Sequence, residues 1–141
     1  MEDGGSRNLE LLYRGSQVRW KASDFNVKCD NKGSTITAIR STGGFIFGGF
    51  ADKAWKSSVG YCKSDKAFFF SLKIPSNEVR PTKTHIKQNM CSKAIYHISS
   101  HGPSFGGCND LYINSDTNNN RNSNSYLGHT YELPPGQTNT F

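Results

Sequence analysis

Residues 29–50, CDNKGSTITAIRSTGGFIFGGF, describe a helix end, a turn and a complete β-hairpin in one uninterrupted run. Asp30, Asn31 and Gly33 supply turn chemistry, because short polar side chains mimic backbone turns and glycine tolerates positive φ. Thr35, Ile36, Thr37, Ala38 and Ile39 have strand character, four of the five being β-branched. Thr42, Gly43 and Gly44 then reverse the chain. Phe45, Ile46 and Phe47 run back as a second strand, which Gly48 and Gly49 are expected to interrupt.

Working outward on the N-terminal side, Phe25 and Cys29 lie four apart with Ala22 on their side. This pattern predicts an amphipathic helix from about Lys21 to Cys29, stopping at or just before Gly33. Leu9, Leu11, Leu12 and Tyr13 form an apolar cluster suited to a short strand or one helical turn. Residues 1–8 read as a frayed polar leader, and residues 9–141 as one domain. On the C-terminal side, Ala51–Asp65 reads as a polar loop anchored by Trp55 and Tyr61. The AFFFSLK run of Ala67–Lys73 is expected to be a central strand buried on both faces. A turn over Pro75–Pro81 and strands around Ile86, Ile95–Tyr96 and Leu111–Ile113 follow. Short strands between Gly, Pro and Asn punctuation, with one convincing helix, predict a mostly β chain: a β-sandwich of two antiparallel sheets with a few short flanking helices.

The 141 residues suffice for a single core. Nine Phe, six Tyr and two Trp must supply much of its bulk. The formal charge of +6 comes from lysines and arginines spread through the middle of the chain without a run. This favours a solvated surface or a face for an acidic partner over nucleic-acid binding, which is not expected. No stretch is apolar for long enough to span a bilayer, and no signal-like segment follows Met1. An intracellular, by default cytoplasmic, location with four free thiols is the corresponding expectation, and direct membrane insertion is not expected.

Several constellations invite chemistry. Asp116, Asn118 and Asn120 alternate like a calcium loop, but Arg121 stands where such a loop needs glycine and Leu127 where it needs glutamate. Cys91, His97, His101 and Cys108 are spaced by six, four and seven residues, unlike the tight ligand pairs of zinc sites. No metal, cofactor or catalytic residue is therefore assigned. Phe-Gly-Gly occurs twice, ending at Gly48, Gly49 and at Gly106, Gly107. Such pairs permit bulges or close backbone approach, and this structural reading is the principal one. Beside it stands a docking reading, in which one of the pairs is a flat backbone surface against which a partner docks, with Gly48, Gly49, Gly106, Gly107 and the neighbouring Asp110 as the candidate residues.

Leu11–Arg14, Ser16, Phe25, residues 29–33, Phe47–Phe50, Trp55, the AFFFSL strand, Gly102–Gly107, Asp110, Leu111 and Gly128–Tyr131 together resemble a TLDc domain from Leu11 onward. The resemblance implies the same sandwich, as in the oxidation-resistance proteins, and no accepted catalytic residues. It further implies a protein-binding role in oxidative-stress resistance, for several members through the peripheral sector of the V-ATPase. A thiol-dependent hydrolase or peroxide-consuming enzyme, and an adaptor domain of a larger protein, remain the alternatives. The chain departs from the family pattern at four places. Val18, Arg19 and Lys21 flank Trp20 in place of Asp-Gly and a helix-capping Ser, leaving Ser23 as a later cap. Asn26 replaces a common His, and Cys108 stands where a third glycine is usual. Finally, members usually continue past the turn at Pro134, Pro135 and Gly136 into a last strand, whereas this sequence ends at Phe141, so that strand is expected to be lacking.

Overall fold

In a computed structural model the described residues are 8–73 and 79–133. The expected turn at Pro134–Gly136 and whatever follows lie outside them, as do residues 1–7 of the leader and residues 75–78 of the Pro75–Pro81 turn.

The quoted run folds as a hairpin. A helix, α1 (Ala22–Cys29), ends at Asp30, and Asn31 and Gly33 take φ of 60° and 80° to turn the chain. Strand β1 (Thr35–Arg40) then pairs antiparallel with β2 (Ile46–Ala51), from Thr35 opposite Ala51 to Arg40 opposite Ile46. Contrary to expectation, Gly48 and Gly49 do not break β2 but lie within its ladder. Both sites leave no room for a side chain. A Cβ at Gly48 would overlap the Thr37 carbonyl oxygen, and one at Gly49 would come within 2.9 Å of the Phe105 ring.

Strand β3 (Gly60–Cys62) emerges from the stretch read as a continuous loop, and β4 (Phe68–Lys73) and β5 (Val79–His85) follow. Pro81 falls inside β5, where an outer strand tolerates its missing N–H. A 3-10 helix over Gln88–Lys93 precedes β6 (Ile95–His97), β7 (His101–Phe105), β8 (Leu111–Asn114) and β9 (Asn124–Ser125). The strands form two antiparallel sheets, ordered β1-β2-β4-β5 and β3-β6-β7-β8-β9. Leu9–Tyr13 adopts neither strand nor helix, although Leu12 and Tyr13 pack against the core.

The expected aromatic core joins the sheets. Phe25 of α1 meets Trp55 edge-on at 5.7 Å, Trp55 meets Phe105 at 5.3 Å, Phe105 meets Phe69 at 5.3 Å, and Phe69 meets Tyr131 at 4.1 Å. These rings form one column from the helix through both sheets, in the edge-to-face and offset arrangements aromatic quadrupoles favour. Strand β4 is central, as expected, but buried on one face only: Phe69 and Ser71 point inward, whereas Leu72 is exposed and Phe68 and Phe70 are half-buried.

Ser23 is not the helix cap. The N-cap is Lys21, which has no side-chain bond to the helix. Instead the Ala22 N–H donates to Ser115 Oγ at 3.1 Å, and the Asp116 N–H donates to the Trp20 carbonyl at 2.6 Å. The Asn-rich segment after β8 thus caps α1 from far along the chain. Asn120 fixes its shape by donating from Nδ2 to the Ser115 and Asp116 carbonyls at 2.9 Å each. Ser115→Ala should therefore cost about 1 kcal/mol, the usual worth of an N-cap, while Ser23→Ala should be near neutral. Urea denaturation of the two variants beside the parent chain measures both.

Candidate functional site

The residues singled out by sequence fall into two places. Gly106, Gly107 and Asp110 share the turn between β7 and β8, where φ is +88° at Gly106. A Cβ at Gly106 would overlap Asp110 Oδ1, so glycine is demanded here by space as well as by backbone conformation. Asp110 is fully buried at 0% exposure. Its Oδ2 accepts the Thr130 and Tyr131 N–H groups at 2.9 and 3.1 Å, and its Oδ1 accepts the Thr130 N–H at 3.2 Å. The Gly107 N–H donates to Thr130 Oγ1 at 2.7 Å, and the Tyr131 hydroxyl donates to the Ala94 carbonyl at 2.8 Å. Burial, and then the Asp110 charge, push the Tyr131 phenol far above its ordinary pKa, so it is a permanent donor.

Gly48 and Gly49 are elsewhere, joined to this turn through Phe105, whose ring lies on Gly49. Gly49 faces the core. Gly48 faces outward but is roofed by Phe70, whose ring tip would lie 2.8 Å from a Cβ there. The five residues therefore fall at two separate places in the fold. Every polar group of the Asp110 cluster described above is engaged with another part of the chain.

The outward face of the first sheet offers a different surface. Ile36 and Leu72 are 51% and 43% exposed, and Phe50, Phe68 and Phe70 lie half-buried between them. Phe50 and Phe68 stack at 5.1 Å, and the Lys83 ammonium sits 4.0 Å from the centre of the Phe68 ring. Sequence reading missed this face because a run of three phenylalanines looks like a strand buried on both sides. The alternation of polar Ser71 with Leu72 was the available signal.

The thiol and histidine candidates do not converge. Cys29 is buried, and desolvation followed by the Asp30 charge pushes its thiol up to about 11, away from reactivity. Cys91 Sγ donates to the Lys87 carbonyl at 3.7 Å, His101 meets Ser100 Oγ at 3.0 Å, and Cys108 lies exposed in the glycine turn. Among the described residues no group of three His, Cys, Asp or Glu side chains is placed to hold a metal ion. No helix there is long and apolar enough to cross a membrane. His97, 7% exposed beside Trp55, has no partner at Nε2. Its pKa is lowered by burial first and by the Lys56 charge second, against the opposing influence of Asp30 and the Ala54 carbonyl.

Two outcomes follow from these environments. Asp110→Ala leaves two buried N–H groups unsatisfied and should destabilise the chain by about 3 kcal/mol or more, read from denaturant midpoints. A histidine whose folded pKa lies below its unfolded value of about 6.5 binds fewer protons when folded. Its stabilising contribution is intact above that value and is lost as pH falls through the folded pKa. Acidification from pH 7.5 to 5 should thus lower the melting temperature more in the parent chain than in His97→Leu.

Comparison with known proteins accords with this geometry. The family model described as TLDc domain matches residues 2–140. The MTOR-associated protein MEAK7 of Gallus gallus is 30% identical over 89 residues, which cover 61% of this chain and 19% of the relative. The chain thus spans about a fifth of the length of that curated relative. No solved structure matches. With the family model covering nearly every residue, and the glycine turn, Asp110 and the β-sandwich in place, the chain belongs to the TLDc domain family.

Proposed function

We propose that this chain is a non-catalytic, protein-binding TLDc module that contributes to oxidative-stress resistance by docking on the peripheral sector of the V-ATPase. The observation that carries the binding role is the outward face of the first sheet. Ile36, Phe50, Phe68, Phe70 and Leu72 present contiguous apolar surface on three strands, β1, β2 and β4, whose other face already fills the core. Apolar patches rimmed by polar residues mark interaction sites, and here Arg40 and Lys83 lie at the rim. The matched relative's name, an MTOR-associated protein, likewise describes association with another protein. The choice of the V-ATPase rests on family membership.

A thiol enzyme is the less supported alternative. Among the described residues no cysteine is hydrogen-bonded to a histidine, the pairing that would activate a thiolate. The wider adaptor role agrees with a chain matching a fraction of a longer relative and is compatible with the same docking face.

Purified peripheral sectors should bind the full chain. The double variant Ile36→Glu/Leu72→Glu should bind at least tenfold more weakly while keeping the parent's circular dichroism, since both side chains are already solvent-exposed. Absence of binding by the parent chain would remove the V-ATPase assignment, and undiminished binding by the variant would remove the face. Cells expressing a Cys62→Ser/Cys91→Ser/Cys108→Ser variant should resist peroxide as well as those expressing the parent.

A further inference from the structure

A second surface lies on the other sheet. The loop leaving β2 and the outer strand β3 enclose an open groove of about 520 Å³, lined by Lys53, Lys56, Val59, Tyr61, Lys63 and His97 among others. All three lysines are exposed. Lys53 is 3.8 Å from Asp52, whereas Lys56 and Lys63 have no acidic side chain within ion-pair distance among the described residues. The nearby carboxylates of Asp30 and Asp52 are tied to the hydroxyls of Ser57 and Ser64. These carboxylates keep their charge, but the three lysines outnumber them, so the groove is net positive. It also carries an apolar wall, since Val59 is 72% exposed and Tyr61 is held by its hydroxyl on the Gly107 carbonyl at 3.0 Å.

His97 supplies the third element. It stands opposite Gly60 in the β3–β6 ladder, and the space where a Cβ of Gly60 would project is open. Its Nε2 is buried and has no hydrogen-bond partner among the described residues. The open space beside Gly60, at the inner wall of a net-positive groove, admits a ligand that brings bulk as well as negative charge. Simple anions match the lysines but leave the apolar wall unused. A peptide matches all three elements, and the lining strand β3 has no described neighbour on its outer side, leaving backbone groups of the kind that peptides pair with.

We propose that this groove binds an extended acidic peptide segment of a partner protein, with a carboxylate between Lys56 and Lys63, an apolar side chain against Val59 and Tyr61, and its backbone along the outer side of β3 at Gly60. The assignment rests on the protein-binding reading above and adds a second contact to it, remote from the outer face of the first sheet.

The test is a selection of random heptapeptides displayed on phage against the full chain, followed by fluorescence anisotropy of the tightest peptide. Enriched peptides should combine Asp or Glu with apolar residues. Binding should fall at least tenfold in Lys56→Glu/Lys63→Glu and markedly between 50 and 500 mM salt. Inorganic phosphate at 10 mM should not displace the peptide beyond its contribution to ionic strength. A selection without binders, binders lacking acidic residues, or an affinity indifferent to the charge reversal would each overturn the proposal. Specific displacement by phosphate with the same dependence on the variants would replace the peptide by a free anion and equally overturn it. Binding of the V-ATPase sector, measured separately on the Ile36 and Leu72 variants, tells failure of the groove from failure of the module's proposed function.

Discussion

Because Asp110 is fully buried and meets no cation within ion-pair distance among the described residues, the N–H groups of Thr130 and Tyr131 must offset the cost of removing its charge from water. Whatever delivers those groups becomes obligatory. Thr130 and Glu132 exchange backbone hydrogen bonds with Lys87 and His85 at 2.9 Å, and Tyr131 forms an antiparallel bridge with Ile86 just beyond β5. The segment held by Asp110, which belongs to the second sheet's β7–β8 turn, is thereby laid against the end of the first sheet. One carboxylate fastens the two halves of the sandwich, and the room it needs excludes any side chain at Gly106.

The same constraint governs the apolar core. Tyr131, positioned by Asp110 and by its own hydroxyl on Ala94, lies against Phe69 and closes the ring column at that end. Phe105, immediately before the glycine turn, sits in mid-column between Trp55 and Phe69 and presses on Gly49. The two Phe-Gly-Gly segments are thus halves of one contact: the phenylalanine of the second fills the space left by a glycine of the first. Large rings crossing between sheets replace the many aliphatic contacts that a core with few Leu and Val cannot make.

Where a feature was set by neighbours in sequence, it was legible there. The helix over Ala22–Cys29, the turn at Asn31 and Gly33, the hairpin and the central β4 follow from periodicity and local turn chemistry, and the TLDc resemblance included Gly106, Gly107 and Asp110 among the residues that carry it. What was not legible was set by distant partners. Two successive glycines read as a break in β2 because nothing nearby shows that Phe105 and Phe70 occupy the missing side chains' space. Strand β7, His-Gly-Pro-Ser-Phe, carries two residues that disfavour strands, and pairing with β8 around an irregular register at Gly102 and Pro103 overrides them. Ser115 as a helix cap lies outside any local window. The groove escaped notice because its lysines are spaced singly and His97 arrives from another strand, where it had been weighed only as a metal ligand or a base.

The cluster that fastens the sandwich and the two proposed docking surfaces consequently lie apart. The polar groups of the Asp110 cluster are bonded within the chain, so a ligand there would have to displace existing hydrogen bonds, whereas the outer face of the first sheet and the groove at β3 have surface to offer without such displacement. The two surfaces differ in physics. An apolar face contributes mainly to residence once contact is made, while a lysine-lined groove accelerates encounter with an acidic partner and loses that advantage as salt rises. They also lie on different sheets, so a partner touching both must reach around the sandwich, and each contact raises the effective concentration of the other. Two individually modest interactions joined in this way can exceed either alone by orders of magnitude, provided that the geometry of the partner spans both, and a rigid aromatic column between the sheets keeps that span fixed.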